Sequence, residues 1–165
     1  AHVADALVTD RSDVALAIMV ADCVPVLLAD EQRGVIAAAH AGRRGLLGGV
    51  LGASVEAMMG LGACPANIRA LIGPSVCGRC YEVPEQMFRE SVEIQPAVAS
   101  RTSWNTPALD LPAGAVAALR DAGLAPEGIE VLERCTPESE ELFSYRRDPR
   151  TGRFAGVITR SPRAV

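Results

Sequence analysis

The sequence predicts an α/β (α+β) domain, a layered sandwich built on a mixed, partly antiparallel sheet. Short apolar runs bounded by turn residues alternate with segments of helical spacing, and the two kinds do not follow strict βαβ alternation. Leu7-Val8 comes first, and a polar turn from Asp10 to Asp13 separates it from a strand over Ala15–Val20. Val24–Leu28 and Val35–Ala39 then read as the two arms of a β-hairpin around the turn residues Asp30 to Gly34. With Ala29 opposite Gly34, Cys23 stands opposite His40. Pro25 has no N–H to give the partner strand, and Cys23, two residues earlier, points its N–H the same way. The two form a non-hydrogen-bonded pair, whose Cα atoms lie about 4.5 Å apart. Register decides the matter, because a slip of one residue sends the two side chains to opposite faces.

Leu47, Val50, Leu51, Val55, Met58 and Met59 keep helical spacing, and Glu56 is almost the only charge among them. This helix is expected to be buried on most sides, with Gly48, Gly49 and Gly52 allowing close approach. Ile68–Ile72 is a strand that ends at Gly73-Pro74. Pro84–Glu93 is a helix with proline in its first turn, and Leu111–Ala122 is another, closed by Gly123. Ile129–Glu133 and Phe154–Thr159 are late strands, the second preceded by a hairpin turn from Pro149 to Gly152.

Residues 1–165 are expected to form one domain, large enough to need no disulfide. Aromatic residues are only 4% of the chain, so the core must come from Ala, Val, Leu and Ile. All 16 basic residues are arginine, which excludes a Schiff-base or P-loop lysine. The net charge of −4 and the scattered arginines argue against a nucleic-acid partner. No apolar run reaches the ~18 residues of a membrane span and the first residues lack the basic start and apolar stretch of a signal peptide, so a cytoplasmic protein is expected. Five cysteines without a secretion signal read as free thiols. The chain starts at Ala1, ahead of a strand-like segment, as a fragment would.

A thiolate and an imidazole placed as Cys23 and His40 are can share a metal ion, or the imidazole can activate the sulfur. Alone, Cys23 would read as a small buried hydrophobe. Ala41 to Gly45 follows His40 and enters the helix, so backbone N–H groups and the guanidinium groups of Arg43 and Arg44 are expected to form an anion site there, the alternative being a glycine turn with solvated arginines. Arg146 and Arg147 head a second arginine cluster that ends at Arg153; ordinary surface charges paired to Asp148 are the plainer reading. Cys77 and Cys80 have CxxC spacing but no second CxxC and no nearby histidine, so they read as two separate thiols. His2 is too close to the terminus to be assigned as a ligand.

Ala4–Thr9 (ADALVT), Ala21–Val26 (ADCVPV), Ala39–Gly45 (AHAGRRG), Ile72–Pro74, Tyr81–Val83 and Phe143–Asp148 (FSYRRD) with Thr151–Arg153 occur in this order along the chain. Together they resemble the YfiH/YlmD family, long labelled multicopper polyphenol oxidase (laccase) and now described as purine nucleoside phosphorylases with adenosine deaminase activity. The resemblance implies a layered fold like the catalytic domain of cytotoxic necrotizing factor toxins. It also implies a metal site, zinc with copper as the alternative, made by one Cys and two His. Cys23 matches the family cysteine and His40 one of the histidines. The other belongs to a Gln-x-His-Gly motif that this sequence does not contain, so the domain is expected to be truncated at its N-terminal side. Arg43 stands where the family usually has Trp, whereas Arg44 matches the motif's arginine.

The leading expectation is an enzyme acting on adenosine, inosine or methylthioadenosine, with Cys23 and His40 as catalytic and metal-binding residues. Arg43, Arg44, Arg146 and Arg147 are the expected substrate- and phosphate-binding residues. Nucleoside and phosphate are the partners, and the protein is a monomer or weak homo-oligomer. The zinc-deaminase pairing of H-x-E with P-C-x-x-C is absent, since Val76 precedes Cys77. A laccase needs an electron-transfer site and a further His-rich cluster, which two histidines do not supply. The remaining alternatives are a Cys-His hydrolase, a peptidoglycan-editing role and an inactive fragment.

Overall fold

The hairpin that the sequence points to lies at the centre of the molecule, in a computed structural model that describes residues 4–160. Strands β1 (Ala6–Thr9), β2 (Leu16–Val20), β3 (Val24–Asp30) and β4 (Val35–Ala41) are followed by helices α1 (Arg43–Leu47) and α2 (Val50–Gly60). Next come β5 (Arg69–Ile72), α3 (Glu85–Ile94), β6 (Ala99–Arg101), β7 (Pro107–Leu109) and α4 (Leu111–Asp121). β8 (Ile129–Val131) and β9 (Phe154–Ile158) complete the order. The main sheet runs β1-β4-β3-β5-β8, antiparallel except for the β5–β8 pair, so the expected mixed sheet is present. β2 and β9 form a second, two-stranded antiparallel sheet.

Strand alternation sorts the core into two layers. Val24, Val26 and Leu28 of β3 join Val35, Ala37, Ala39 and Ala41 of β4 in the larger cluster, against Leu51, Val55 and Met58 of α2 and Ala115 and Leu119 of α4. Each fully buried leucine or isoleucine there contributes about 1.5–3 kcal/mol. The opposite face, with Ile36 and Ala38, packs on Leu16, Ile18 and Val20 of β2. The result is helices on one side of the main sheet and the β2–β9 ribbon on the other. Among the described residues no helix is long and apolar enough to cross a membrane.

The hairpin register differs from the expected one by two residues. Ala29 pairs with Ile36 and Asp30 with Val35, leaving Glu31–Gly34 as the loop. Asp30 reads as a turn residue, yet it is fully buried as the last residue of β3, and its carboxylate accepts the N–H groups of Arg33 (3.0 Å) and Cys64 (2.9 Å). Gly34 closes the loop at φ +69°, its N–H on the Asp30 carbonyl at 2.7 Å. Pro25 is tolerated in this central strand because the β5 ladder begins only at Val26.

Three further expectations need correction. The helix over 47–59 is two helices, broken where Gly49 takes φ +82°, and α2 exposes Gly52, Ala53, Ala57 and Met59 instead of being buried on most sides. Pro149 to Gly152 is not a hairpin turn, since β9 pairs with the distant β2. The β6–β7 hairpin has no counterpart in the sequence reading, because three-residue strands leave no periodicity to detect.

Candidate functional site

Asp22 sets up the site before Cys23 does. Its backbone is left-handed at φ +87°, a conformation aspartate enters more readily than most residues. Its buried carboxylate accepts hydrogen bonds from the Thr136 hydroxyl (2.6 Å) and the Arg146 N–H (2.8 Å), and its carbonyl accepts the Val76 N–H (3.0 Å). One residue thus ties the start of β3 to two distant segments of the chain.

Pro25, not Cys23, lies opposite His40. The shift is even, so Cys23 and His40 still share a face and become diagonal neighbours. The His40 N–H donates to the Asp5 carbonyl at 2.7 Å, on the β1 side, so nothing is asked of Pro25. Both side chains converge on Gly42: a β-carbon built there would lie 3.0 Å from Cys23 Sγ and 3.5 Å from His40 Cε1. The bare glycine keeps that space open. His40 Nδ1 lies 3.4 Å from Asp5 Oδ1, and with Nδ1–H donating to that carboxylate Nε2 keeps its lone pair for a metal. Burial pushes the Cys23 thiol above its ordinary pKa, and the charges of Asp22 and Asp5 push the same way against Arg153. That disfavours Cys23 as a free thiolate nucleophile with His40 as its base.

A thiolate and an imidazole are a soft and a borderline donor, suited to zinc or copper. They are two protein ligands where a catalytic zinc usually takes three, and among the described residues no third donor closes a compact cluster with them. His2 lies outside the described residues.

The arginines divide by role. Arg146 lays its guanidinium 4.6 Å from the centroid of the Tyr81 ring. Arg147 directs its guanidinium inward, to the carbonyls of Thr136 (3.2 Å), Ser139 (2.8 Å) and Leu142 (2.7 Å) and to the Asp148 carboxylate. It therefore shapes its own loop. Arg43 and Arg44 begin α1, a helix of only five residues whose first intrahelical bond runs from the Leu46 N–H to the Gly42 carbonyl, and no side chain caps its start. Arg153 and Asp5, neither assigned from sequence, complete the charges acting on Cys23.

Cys77 and Cys80 are free thiols, but they do not stand alone. They meet Cys135 and Glu138, all four donor atoms lying within 4.8 Å of one another. Burial and the Glu138 side chain push the Cys80 thiol far up, and burial raises Cys135. At Cys77, hydrogen bonds from Cys135, Arg79 and Cys80 outweigh burial and lower the pKa. A cleft of about 530 Å³ borders this cluster, with Gly78, Asp110, Leu132 and Arg134 in its wall, and includes neither Cys23 nor His40. A second signal was present in the sequence, since Cys135-x-x-Glu138 repeats the spacing of Cys77-x-x-Cys80.

Residues 1–161 match the family model described as multi-copper polyphenol oxidoreductase laccase. The chain is 54% identical over 154 residues to a purine nucleoside phosphorylase of Streptomyces coelicolor, covering 93% of this chain and 63% of that protein. It is 35% identical over 148 residues to a protein named adenosine deaminase from an unknown prokaryotic organism, covering 87% of this chain and 56% of that one. The crystal structure of YlmD from Geobacillus stearothermophilus superimposes with a TM-score of 0.87 at 36% identity, covering 96% of this chain and 61% of YlmD. The chain thus spans less than two-thirds of the length of these relatives. It belongs to the laccase-like YfiH/YlmD family.

Proposed function

We propose that this chain forms part of a metal-dependent purine nucleoside phosphorylase with adenosine deaminase activity. The observation that carries the reading is the convergence of Cys23 and His40 on Gly42 beside Asp5 and Arg153. The names of the relatives from Streptomyces coelicolor and the unknown prokaryote support the substrate class.

In phosphorolysis a phosphate oxygen bonds to the anomeric carbon of the ribose while that carbon's bond to the purine nitrogen breaks. The base leaves with the electron pair and takes up a proton. Arg153 and Arg146 hold the phosphate, with Tyr81 fixing the Arg146 guanidinium against one ring face. Arg43 and Arg44, which directly follow Gly42, add positive charge on that side of the site. Arg147 is a positioning residue, because its donors hold the loop that carries Arg146. Cys23 and His40 would hold zinc, or copper in its place, which would supply Lewis acidity for deamination, in which water adds to the amino-bearing purine carbon and that carbon's bond to the amino group breaks with release of ammonia. Asp5 orients His40 for that task.

The test is phosphate-dependent release of adenine from adenosine by the protein at its full natural length. Arg153→Ala is expected to raise the KM for phosphate by about 10- to 100-fold, the equivalent of a lost charge-assisted hydrogen bond of about 1.5–3 kcal/mol. The KM for adenosine should change little. No adenine release from the wild type overturns the reading, and an unchanged phosphate KM removes Arg153 from it.

A further inference from the structure

We propose that Cys77, Cys80, Cys135 and Glu138 form a second metal site, a closed structural centre for zinc that clamps the loop carrying Arg146 onto the segment carrying Tyr81. The four donors are already gathered within 4.8 Å. A tetrahedral zinc with Zn–S bonds of 2.3 Å needs sulfur atoms about 3.8 Å apart, so side-chain movements of about 1 Å would close the shell.

Two matching turns present the donors. In the first the Cys80 N–H donates to the Cys77 carbonyl at 3.0 Å, and in the second the Glu138 N–H donates to the Cys135 carbonyl at 3.2 Å. Each turn brings together residues i and i+3, the C-x₂-C geometry of zinc knuckles. They are aligned on each other by a parallel bridge between Ser75 and Cys135, with Ser75 N–H on the Arg134 carbonyl (3.2 Å) and Thr136 N–H on the Ser75 carbonyl (3.0 Å). The Cys77 backbone N–H donates to Cys135 Sγ at 3.4 Å and the Cys80 thiol to Glu138 Oε1 at 3.3 Å, so the two turns already contact one another across the gap, the second time through two of the proposed ligands.

Three thiolates select a soft or borderline ion over calcium or magnesium. Four protein ligands leave no open position, which fits a structural site and not a catalytic one. Arg79, 4.0 Å from Glu138, offsets part of the negative charge of the filled shell. Gly78 is fixed in the first turn by crowding: a β-carbon there would lie 2.6 Å from Ser100 Oγ and 2.8 Å from Asp110 Cβ.

The consequence reaches the site described above. Tyr81 follows Cys80 directly, and Thr136, next to Cys135, holds both Asp22 and the Arg147 guanidinium. A metal joining the two turns therefore fixes both partners of the Arg146–Tyr81 contact, and this functional part rests on the reading of Arg146 as a phosphate ligand.

The experiment uses the full-length Cys23→Ser/His40→Ala protein, so that it stands apart from the catalytic reading. After dialysis against zinc chloride and removal of excess, this variant is expected to retain one zinc per chain and to melt higher than its chelator-treated form. Adding Cys80→Ser should abolish retention. Adding Glu138→Gln, which keeps all three sulfurs and the fold, should weaken zinc binding by about tenfold or more. No retained zinc, an unchanged melting temperature on zinc addition, or a disulfide among the three cysteines in the purified protein would each overturn the proposal.

Discussion

Cys23→Ser is expected to lower the deamination of adenosine to inosine, read as ammonia release, by more than about 100-fold, past the 10- to 100-fold typical when a residue behind a metal ligand is changed. The serine keeps the side chain's size and leaves the strand pairing of β3 untouched, so stability should fall by about 1 kcal/mol or less. His40→Ala should show a similar loss. The double variant should be little worse than either single one, because groups that act as a unit are lost together. A double variant whose loss equals the product of the two single losses would mean that Cys23 and His40 work separately.

Asp22→Ala should be the most destabilising change at the site. It strands the buried Thr136 hydroxyl for about 1–3 kcal/mol, takes the acceptor from the part-buried Arg146 N–H for about 1 kcal/mol, and replaces a residue that tolerates the left-handed region at φ +87° with one that does not for about 1 kcal/mol more. A total of about 3–5 kcal/mol follows, which lowers the melting temperature of a domain this size by about 10 °C or more. Asp22→Asn retains a side chain at home in the left-handed region and one acceptor oxygen, and should cost about half as much. Thermal melts of both variants decide the point. If Asp22→Ala melts within 2 °C of wild type, about the equivalent of 1 kcal/mol or less, the carboxylate does not hold the loop.

Local pattern carried the sequence reading a long way where elements were long. α3 and α4 appear within a residue or two of their expected ends, and Asp110 caps α4 through its carboxylate on the Ala113 N–H. The hairpin was legible, but its register was not. Asp30 has the composition of a turn and the position of a strand end, and only the burial of its carboxylate against Cys64 distinguishes the two. Because the resulting shift was even, Cys23 and His40 lost their direct pairing but stayed on one face. The Cys77–Cys80–Cys135–Glu138 cluster and the roles of Asp22 and Arg153 depend on contacts across more than fifty residues of chain, which spacing does not report. Arg147 illustrates the converse: its neighbour Arg146 has the same charge and exposure to reading, yet the loop's own carbonyls take up the Arg147 donors.

The central claim, that Cys23 and His40 share one metal, is tested most directly by mass-spectrometric mapping of thiol alkylation on the full-length, metal-replete protein. Cys23 is expected to resist alkylation until a chelator is added, and then to react as ammonia release from adenosine falls in parallel. Equal alkylation of Cys23 with and without chelator would contradict it.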